Sequence, residues 1–300
     1  MKKHPVLYGL TLVFLLGTGL LIILYGFSIW KGDRPAFSNS NKIAIVTIGG
    51  IISSSQDIVD KLDDFGKDES IKAVVLRIDS PGGGVASSQE IYTAIKKLKK
   101  NKKVIASLGS IAASGGYMIA CAADKIFANP GTITGSISAI MYFANAEELL
   151  KKIGLKSSVI KSGKYKDMGS PTREMTEEEK IILQGLIDDI YDQFVEVIVQ
   201  DRKIPKEEVK NIADGRVFSG KQAKALRLID ELGDRSDAVN LAAKMAGIKG
   251  TPVLVYPRKK EITFWDYLLQ SSAAYLAGAV QEKFGAAPPG GVSYLFEYGK

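Results

Sequence analysis

Three apolar, β-branched runs recur about 30 residues apart, at Ile43 to Ile48, Ala73 to Ile78 and Val104 to Leu108. Helical patterns fill the intervals, most clearly over Gln89 to Lys100, where Ile91, Ile95 and Leu98 share one face. Strand, helix, strand at this period predicts βαβ units and a parallel sheet covered on both sides, hence an α/β fold. Further strands are expected at Lys125 to Ala128 and at Ser158 to Ile160. Thr176 and Glu179 make a capping box that opens a long helix to Gln200. Its stripe of Ile182, Leu186, Ile190, Phe194 and Val197 suits a core or a subunit interface. Pro205 opens another helix, and Ser219 caps the next, Gly220 to Leu228.

Ahead of this body, Val6 to Trp30 carries no charge and exceeds the roughly 20 residues that span a bilayer. Lys2, Lys3 and His4 precede it, which puts the N-terminus in the cytoplasm and the body outside. The run is too long for a signal-peptide h-region, and Phe27-Ser28-Ile29-Trp30 is no small-x-small cleavage site, so an uncleaved anchor is expected. The expected organisation is a stub and anchor over 1–30, a linker over 31–41, the α/β domain over 42–250 and a C-terminal extension over 251–300. Within the extension, apolar residues at helical spacing from Ile262 to Phe284 suit the membrane surface, a neighbouring subunit or the domain itself. Ala286 to Gly291 then frees an aromatic tail, Tyr294-Leu295-Phe296, for which insertion into the chain's own site is one expectation.

The chemistry is bounded by what is scarce. His4 is the one histidine and Cys121 the one cysteine, so a Ser-His-Asp triad, a Cys-His pair and a zinc site of His and Cys ligands are all excluded. No metal and no cofactor is expected. The net charge of +7 is spread along the chain and reads as solvated surface, not as a nucleic-acid footprint. Against that background stands the run Gly109-Ser110-Ile111-Ala112-Ala113-Ser114-Gly115-Gly116-Tyr117. It places a hydroxyl, that of Ser114, between a strand and the free N–H groups of a following helix, a setting that suits a nucleophile and its oxyanion. The same run suits a tight crossover packed with small residues, and the residues alone leave both readings open. Ser80-Pro81-Gly82-Gly83-Gly84 ends another strand and bares backbone N–H groups for an oxyanion or an extended peptide; it matches neither GxGxxG nor a P-loop. A base for Ser114 must come from Lys, Asp, Glu, Tyr or an N-terminal amine. Lys161, Lys164 and Lys166 cluster in one segment, and a lysine amine can serve only if burial or a nearby cation lowers its pKa. Asp167, next to Lys166, would oppose that if it paired with it, so it is expected to point elsewhere.

In order along the chain, Ser80 to Gly84, Gly109 to Tyr117, Ala123-Asp124-Lys125-Ile126, Thr134-Gly135-Ser136-Ile137, Lys161 to Glu174 and Asp214-Gly215-Arg216-Val217 resemble the signal peptide peptidase A family in its short, single-domain bacterial form. The resemblance runs from about Lys42 to Gly233. It implies a Clp protease/crotonase-like fold of repeated ββα and βαβ units behind one N-terminal transmembrane helix. The implied activity is that of a membrane-anchored Ser-Lys serine peptidase that degrades released signal peptides. Residue by residue it implies Ser114 as nucleophile, Lys166 as general base, Ser136 as the residue that orients this lysine, and the backbone N–H groups of Gly83 and Gly115 as the oxyanion hole. It further implies a homo-oligomeric ring at the membrane, with serine and lysine supplied by adjacent subunits and with apolar peptides as substrates. Three other readings compete: a stomatin-operon-type Ser-Lys protease acting on a partner membrane protein, a crotonase-like acyl-CoA enzyme, and a scaffold without catalysis.

Overall fold

The computed structural model describes residues 14–20, 41–257 and the backbone of Ser293–Leu295. Residues 14–20 are helical (α1) and fall in the unit Met1–Ser40; everything below concerns the unit Asn41–Lys300. Most of the expected anchor, residues 6–30, and the apolar segment 262–284 lie outside the described residues. Among the described residues no helix is long and apolar enough to cross a membrane.

Among the described residues the body is an eight-stranded mixed sheet in the order β7 (Val217–Ser219), β6 (Ile133–Gly135), β4 (Lys103–Ala113), β2 (Ile71–Ser80), β1 (Lys42–Gly49), β9 (Val253–Val255), with β5 (Lys125–Ala128) and β8 (Glu231–Leu232) continuing beside β4. Strands β1 (Lys42–Gly49), β2 (Ile71–Ser80) and β4 (Lys103–Ala113) form its centre and run parallel, as their period predicts. Alternation splits their side chains between two cores. Val46, Val74, Leu76, Ile78, Val104 and Leu108 face one side, and Ile43, Ile45, Ala73, Val75 and Ile105 face the other. Helices α2 (Gln56–Lys67), α3 (Val85–Leu98), α4 (Gly115–Cys121) and the end of α6 (Glu177–Arg202) supply the first core. The second is covered by α9 (Arg235–Met245) through Ala238, Val239, Ala242 and Ala243.

β4 continues five residues past the expected end at Leu108 because each half has its own partner. Ile105–Ser107 pair with β5 (Lys125–Ala128), and Ile111–Ala113 pair with β6 (Ile133–Gly135). A register irregularity between the halves is filled by Asp79, whose carboxylate accepts the Ile111 amide at 3.1 Å. β6 in turn pairs antiparallel with β7 (Val217–Ser219), which makes the sheet mixed where the sequence predicts a parallel one.

The capping box at Thr176 and Glu179 is formed, and α6 runs two residues past Gln200. Its stripe divides: Ile190 and Phe194 are buried, while Ile182 and Leu186 are exposed. Pro205 caps α7 (Lys206–Lys210), and Ser219 caps α8 (Gly220–Ala225), which stops three residues before Leu228. One expected element is absent. Ser158 to Ile160 forms no strand, because no strand edge lies beside it and the Ile160 side chain is fully exposed. It belongs to an arm, residues 138–178, in which no residue is buried; the short α5 (Glu147–Lys152) interrupts it.

Candidate active site

Ser114 follows β4 directly and is the N-cap of α4. Its amide donates to the Gly135 carbonyl at 2.7 Å, and its own carbonyl accepts from Met118 at 2.9 Å. These bonds hold the backbone at φ 54°, ψ −121°, a region that costs a non-glycine residue about 1–3 kcal/mol. Such a strand-to-helix elbow lifts the hydroxyl to the end of the sheet. The side chain is 1% exposed, and its Oγ has no hydrogen-bond partner among the described residues. An unpartnered buried hydroxyl costs free energy that ordinary packing would not retain. The first turn of α4 has no side-chain cap, so its N–H groups, Gly115 first, stay open beside that oxygen. Gly116 must lack a side chain, since a Cβ there would come within 2.9 Å of the Ser80 carbonyl.

β3 (Gly82–Gly84) forms the opposite wall. The Ser80 hydroxyl donates to the Gly50 carbonyl at 2.6 Å and accepts the Gly82 amide at 3.1 Å. Ile52 takes one edge of the strand, donating to the Gly82 carbonyl and accepting from the Gly84 amide, both at 2.8 Å. Alternation therefore turns the N–H and C=O of Gly83 to the other edge. A Cβ at Gly83 would lie 2.2 Å from the Ile52 carbonyl oxygen, so only glycine permits this approach. The free edge is occupied by the chain's own tail. β10 (Ser293–Leu295) pairs antiparallel with β3, with Tyr294 opposite Gly83, and also lies against α4. An extended peptide is thus accommodated beside both predicted oxyanion donors. A groove of about 510 Å³ between α2 and α3, lined by Ser55, Gln56, Glu90 and Lys97, contains none of the candidate residues.

Ser136 closes the third side. It follows β6, is 7% exposed, has φ 51° and donates its amide to the Arg216 carbonyl at 2.9 Å. Since Ala113 pairs with Gly135, the residues after β4 and β6, Ser114 and Ser136, stand side by side.

Ser114, Ser136, Gly83 and Gly115 therefore meet at one end of the sheet. Lys166 does not join them within the chain: it sits exposed on the arm, and Ser114 Oγ accepts no bond from it. Its neighbours are engaged. Lys161 pairs with Asp167 and Lys164 with Glu178, whereas no ion pair involves Lys166 among the described residues. Asp167 points away from Lys166, as expected, to Arg173 and Lys161, and these two cations hold its carboxyl far below the usual carboxylate range. Asp79, Ser80 and Arg173 fix these pieces; Ser80 and Arg173 fall inside the motifs Ser80 to Gly84 and Lys161 to Glu174, but nothing in the residues alone gave either of them or Asp79 an individual role.

The model of peptidase family S49 matches residues 96–249, and that of Clp protease matches residues 36–134. A Synechocystis protein named "Putative protease" is 48% identical over 243 residues, covering 79% of this chain and 88% of its own. An Enterococcus faecium protein named "Putative signal peptide peptidase SppA" is 34% identical over 254 residues, covering 80% of this chain and 74% of its own. "Protease 4" of Salmonella typhi is 34% identical over 243 residues, which are 81% of this chain and 38% of that one.

Proposed function

Since the chain belongs to peptidase family S49 and is a serine peptidase with a Clp protease-like α/β fold, we propose that it is a membrane-anchored endopeptidase working through a Ser114–Lys166 dyad. The observation that carries the reading is Ser114 itself: a buried, unpartnered hydroxyl on a strained elbow, between a glycine strand and an uncapped helix start. The neutral Lys166 amine takes the Oγ proton as Oγ attacks the scissile carbonyl carbon. The Gly83 and Gly115 N–H groups receive the oxyanion, and the Lys166 ammonium returns its proton to the leaving amine. Water then attacks the acyl-enzyme, with Lys166 as base again and Ser136 orienting the amine. An amine of ordinary pKa near 10.4 must be desolvated to serve at neutral pH.

The arm supports a shared dyad. Tyr142, Phe143, Leu149, Ile153, Leu155 and Ile160 are exposed on it, and a segment with no buried residue of its own gains its apolar burial from a second copy. Covering the arm also desolvates Lys166. The assembly is accordingly a homo-oligomeric ring in which the lysine of one subunit serves the serine of the next, held at the cytoplasmic membrane by residues 6–30 with the catalytic domain outside. Substrates are extended apolar peptides, released signal peptides foremost, as the name of the Enterococcus relative suggests. Membership of a peptidase family removes the acyl-CoA reading.

The test is hydrolysis of a fluorogenic apolar peptide by the detergent-solubilised full chain. Ser114→Ala and Lys166→Ala should each be folded, assembled and inactive. Co-assembly of the two dead variants should restore about a quarter of wild-type activity, the fraction of random neighbour pairs that bring an intact serine to an intact lysine. Full activity in Lys166→Ala would sink the dyad, and no recovery on mixing would sink its sharing.

A further inference from the structure

Between residues 138 and 189 one side chain is buried, and it is a carboxylate, Glu179. The arm is therefore organised by charge and not by an apolar core. Arg173 stands at the centre. Its Nε donates to Asp167 Oδ2 and its Nη2 to Asp167 Oδ1, both at 3.0 Å, in a two-pronged bond. The same guanidinium gives Nη1 to Glu179 Oε2 at 2.8 Å and to the Glu174 carbonyl at 2.9 Å, and Nη2 also pairs with Glu179 Oε1. Glu179 accepts the Thr176 amide at 2.9 Å, so the network ends in the cap of α6, whose far half is fixed in the core by Phe194, Val195 and Ile198.

We propose that Arg173 is a positioning residue for the base: by binding Asp167 and Glu179 at once it ties the Lys166 turn to α6 and keeps the adjacent carboxylate from pairing with Lys166. The inference rests on Lys166 being the base. The geometry serves both ends of the task. A lysine on an arm without a core needs a rigid attachment, and α6 is the one long element that links arm and core. A lysine that must be neutral also cannot tolerate a free carboxylate one residue away, since an anion favours the ammonium form. The charged and titratable groups around the turn are Lys161, Lys164, Tyr165, Asp167, Arg173, Glu178 and Glu179. Lys164 and Tyr165 both bond Glu178, Lys161 and Arg173 share Asp167, and Arg173 neutralises Glu179. Lys166, in their midst, makes no ion pair among the described residues. Lysine in place of Arg173 could not span both carboxylates, because a single ammonium lacks the planar fork.

The experiment is the pH dependence of kcat and kcat/KM for the full-length protein carrying Arg173→Met, Asp167→Asn, both together, or Arg173→Lys, each checked for assembly. In Arg173→Met the acidic limb should move up by about one pH unit and kcat should fall about tenfold or more, with KM little changed. Adding Asp167→Asn to Arg173→Met should return the limb to its wild-type position, since the carboxylate left with Lys161 alone is gone; a merely structural arginine predicts no such reversal. Asp167→Asn alone should leave the limb in place, and Arg173→Lys should recover only part of kcat. An unmoved limb in an assembled Arg173→Met protein overturns the positioning role. If Arg173→Met fails to assemble, the single Asp167→Asn variant decides: a limb displaced downward or an unchanged kcat overturns the proposal, and a limb in place with reduced kcat upholds it. Activity in Lys166→Ala would instead overturn the dyad beneath it, so the two failures are distinct.

Discussion

The amide of Ser114 is held by the carbonyl of Gly135, 2.7 Å away, one residue before Ser136. Both serines take positive φ, 54° and 51°, at the ends of neighbouring parallel strands. The pairing of β4 with β6 thus sets the nucleophile and its flanking hydroxyl in one operation. Thr134 reinforces it, its hydroxyl donating to the Ala112 carbonyl at 2.7 Å.

Ser114→Gly should abolish hydrolysis and stabilise the fold. Glycine adopts φ 54° without strain and removes an unpartnered buried oxygen, so unfolding should become harder by about 1–3 kcal/mol. Ser114→Ala keeps the strained backbone and should gain less. Denaturant unfolding of the two variants checks the order.

Gly83→Ala should lose activity together with stability. The added methyl would lie 2.2 Å from a backbone oxygen of Ile52, which cannot yield as a side chain would. The cost should be about 1–3 kcal/mol, read as a lower Tm, with labelling of Ser114 by a fluorophosphonate strongly slowed.

Removal of residues 287–300 should lower KM for peptides about threefold or more and leave kcat unchanged, because Ser293–Leu295 fills the strand position a substrate would add to β3. A synthetic peptide of residues 291–298 should then inhibit the truncated protein competitively. An unchanged KM would separate the tail from the substrate edge.

Glu179 gives the arm a definite acid response. Arg173, then the Thr176 amide, holds its carboxyl at about 2. A lowered carboxyl stabilises the folded form fully above the ordinary glutamate range and ceases to do so as pH falls from about 4.5 toward 2. Cleavage by pepsin within residues 138–178 should therefore accelerate as the pH falls from about 4.5 toward 2, and Glu179→Gln should flatten that dependence.

The sheet was legible because its signals are local and repeated. β1, β2 and the first half of β4 come from continuous apolar, β-branched runs buried on both faces, and the cap of α6 from Thr176 and Glu179. The same signal misled at Ser158 to Ile160, since β propensity becomes a strand only where another strand edge is present. The length of β4 was hidden because its second half depends on the Asp79 carboxylate and the hydroxyls of Thr132 and Thr134, all distant in sequence. The glycines and Ser114 could be placed at strand ends. Which of three lysines lacks a carboxylate is set by how the arm folds back on α6, and no periodicity encodes that.

Along β3 the Gly83 amide and carbonyl face a partner chain, and neither Gly83 nor its flanking glycines set a side chain beside them to probe what lies there. Such an edge discriminates by shape of the main chain: a segment must be free to stretch out and must have its own hydrogen-bonding groups unclaimed. Helices and strands of a folded domain fail that condition whatever their composition, while a loose fragment meets it. The three glycines act as a filter for unfoldedness, set ahead of any preference for particular residues.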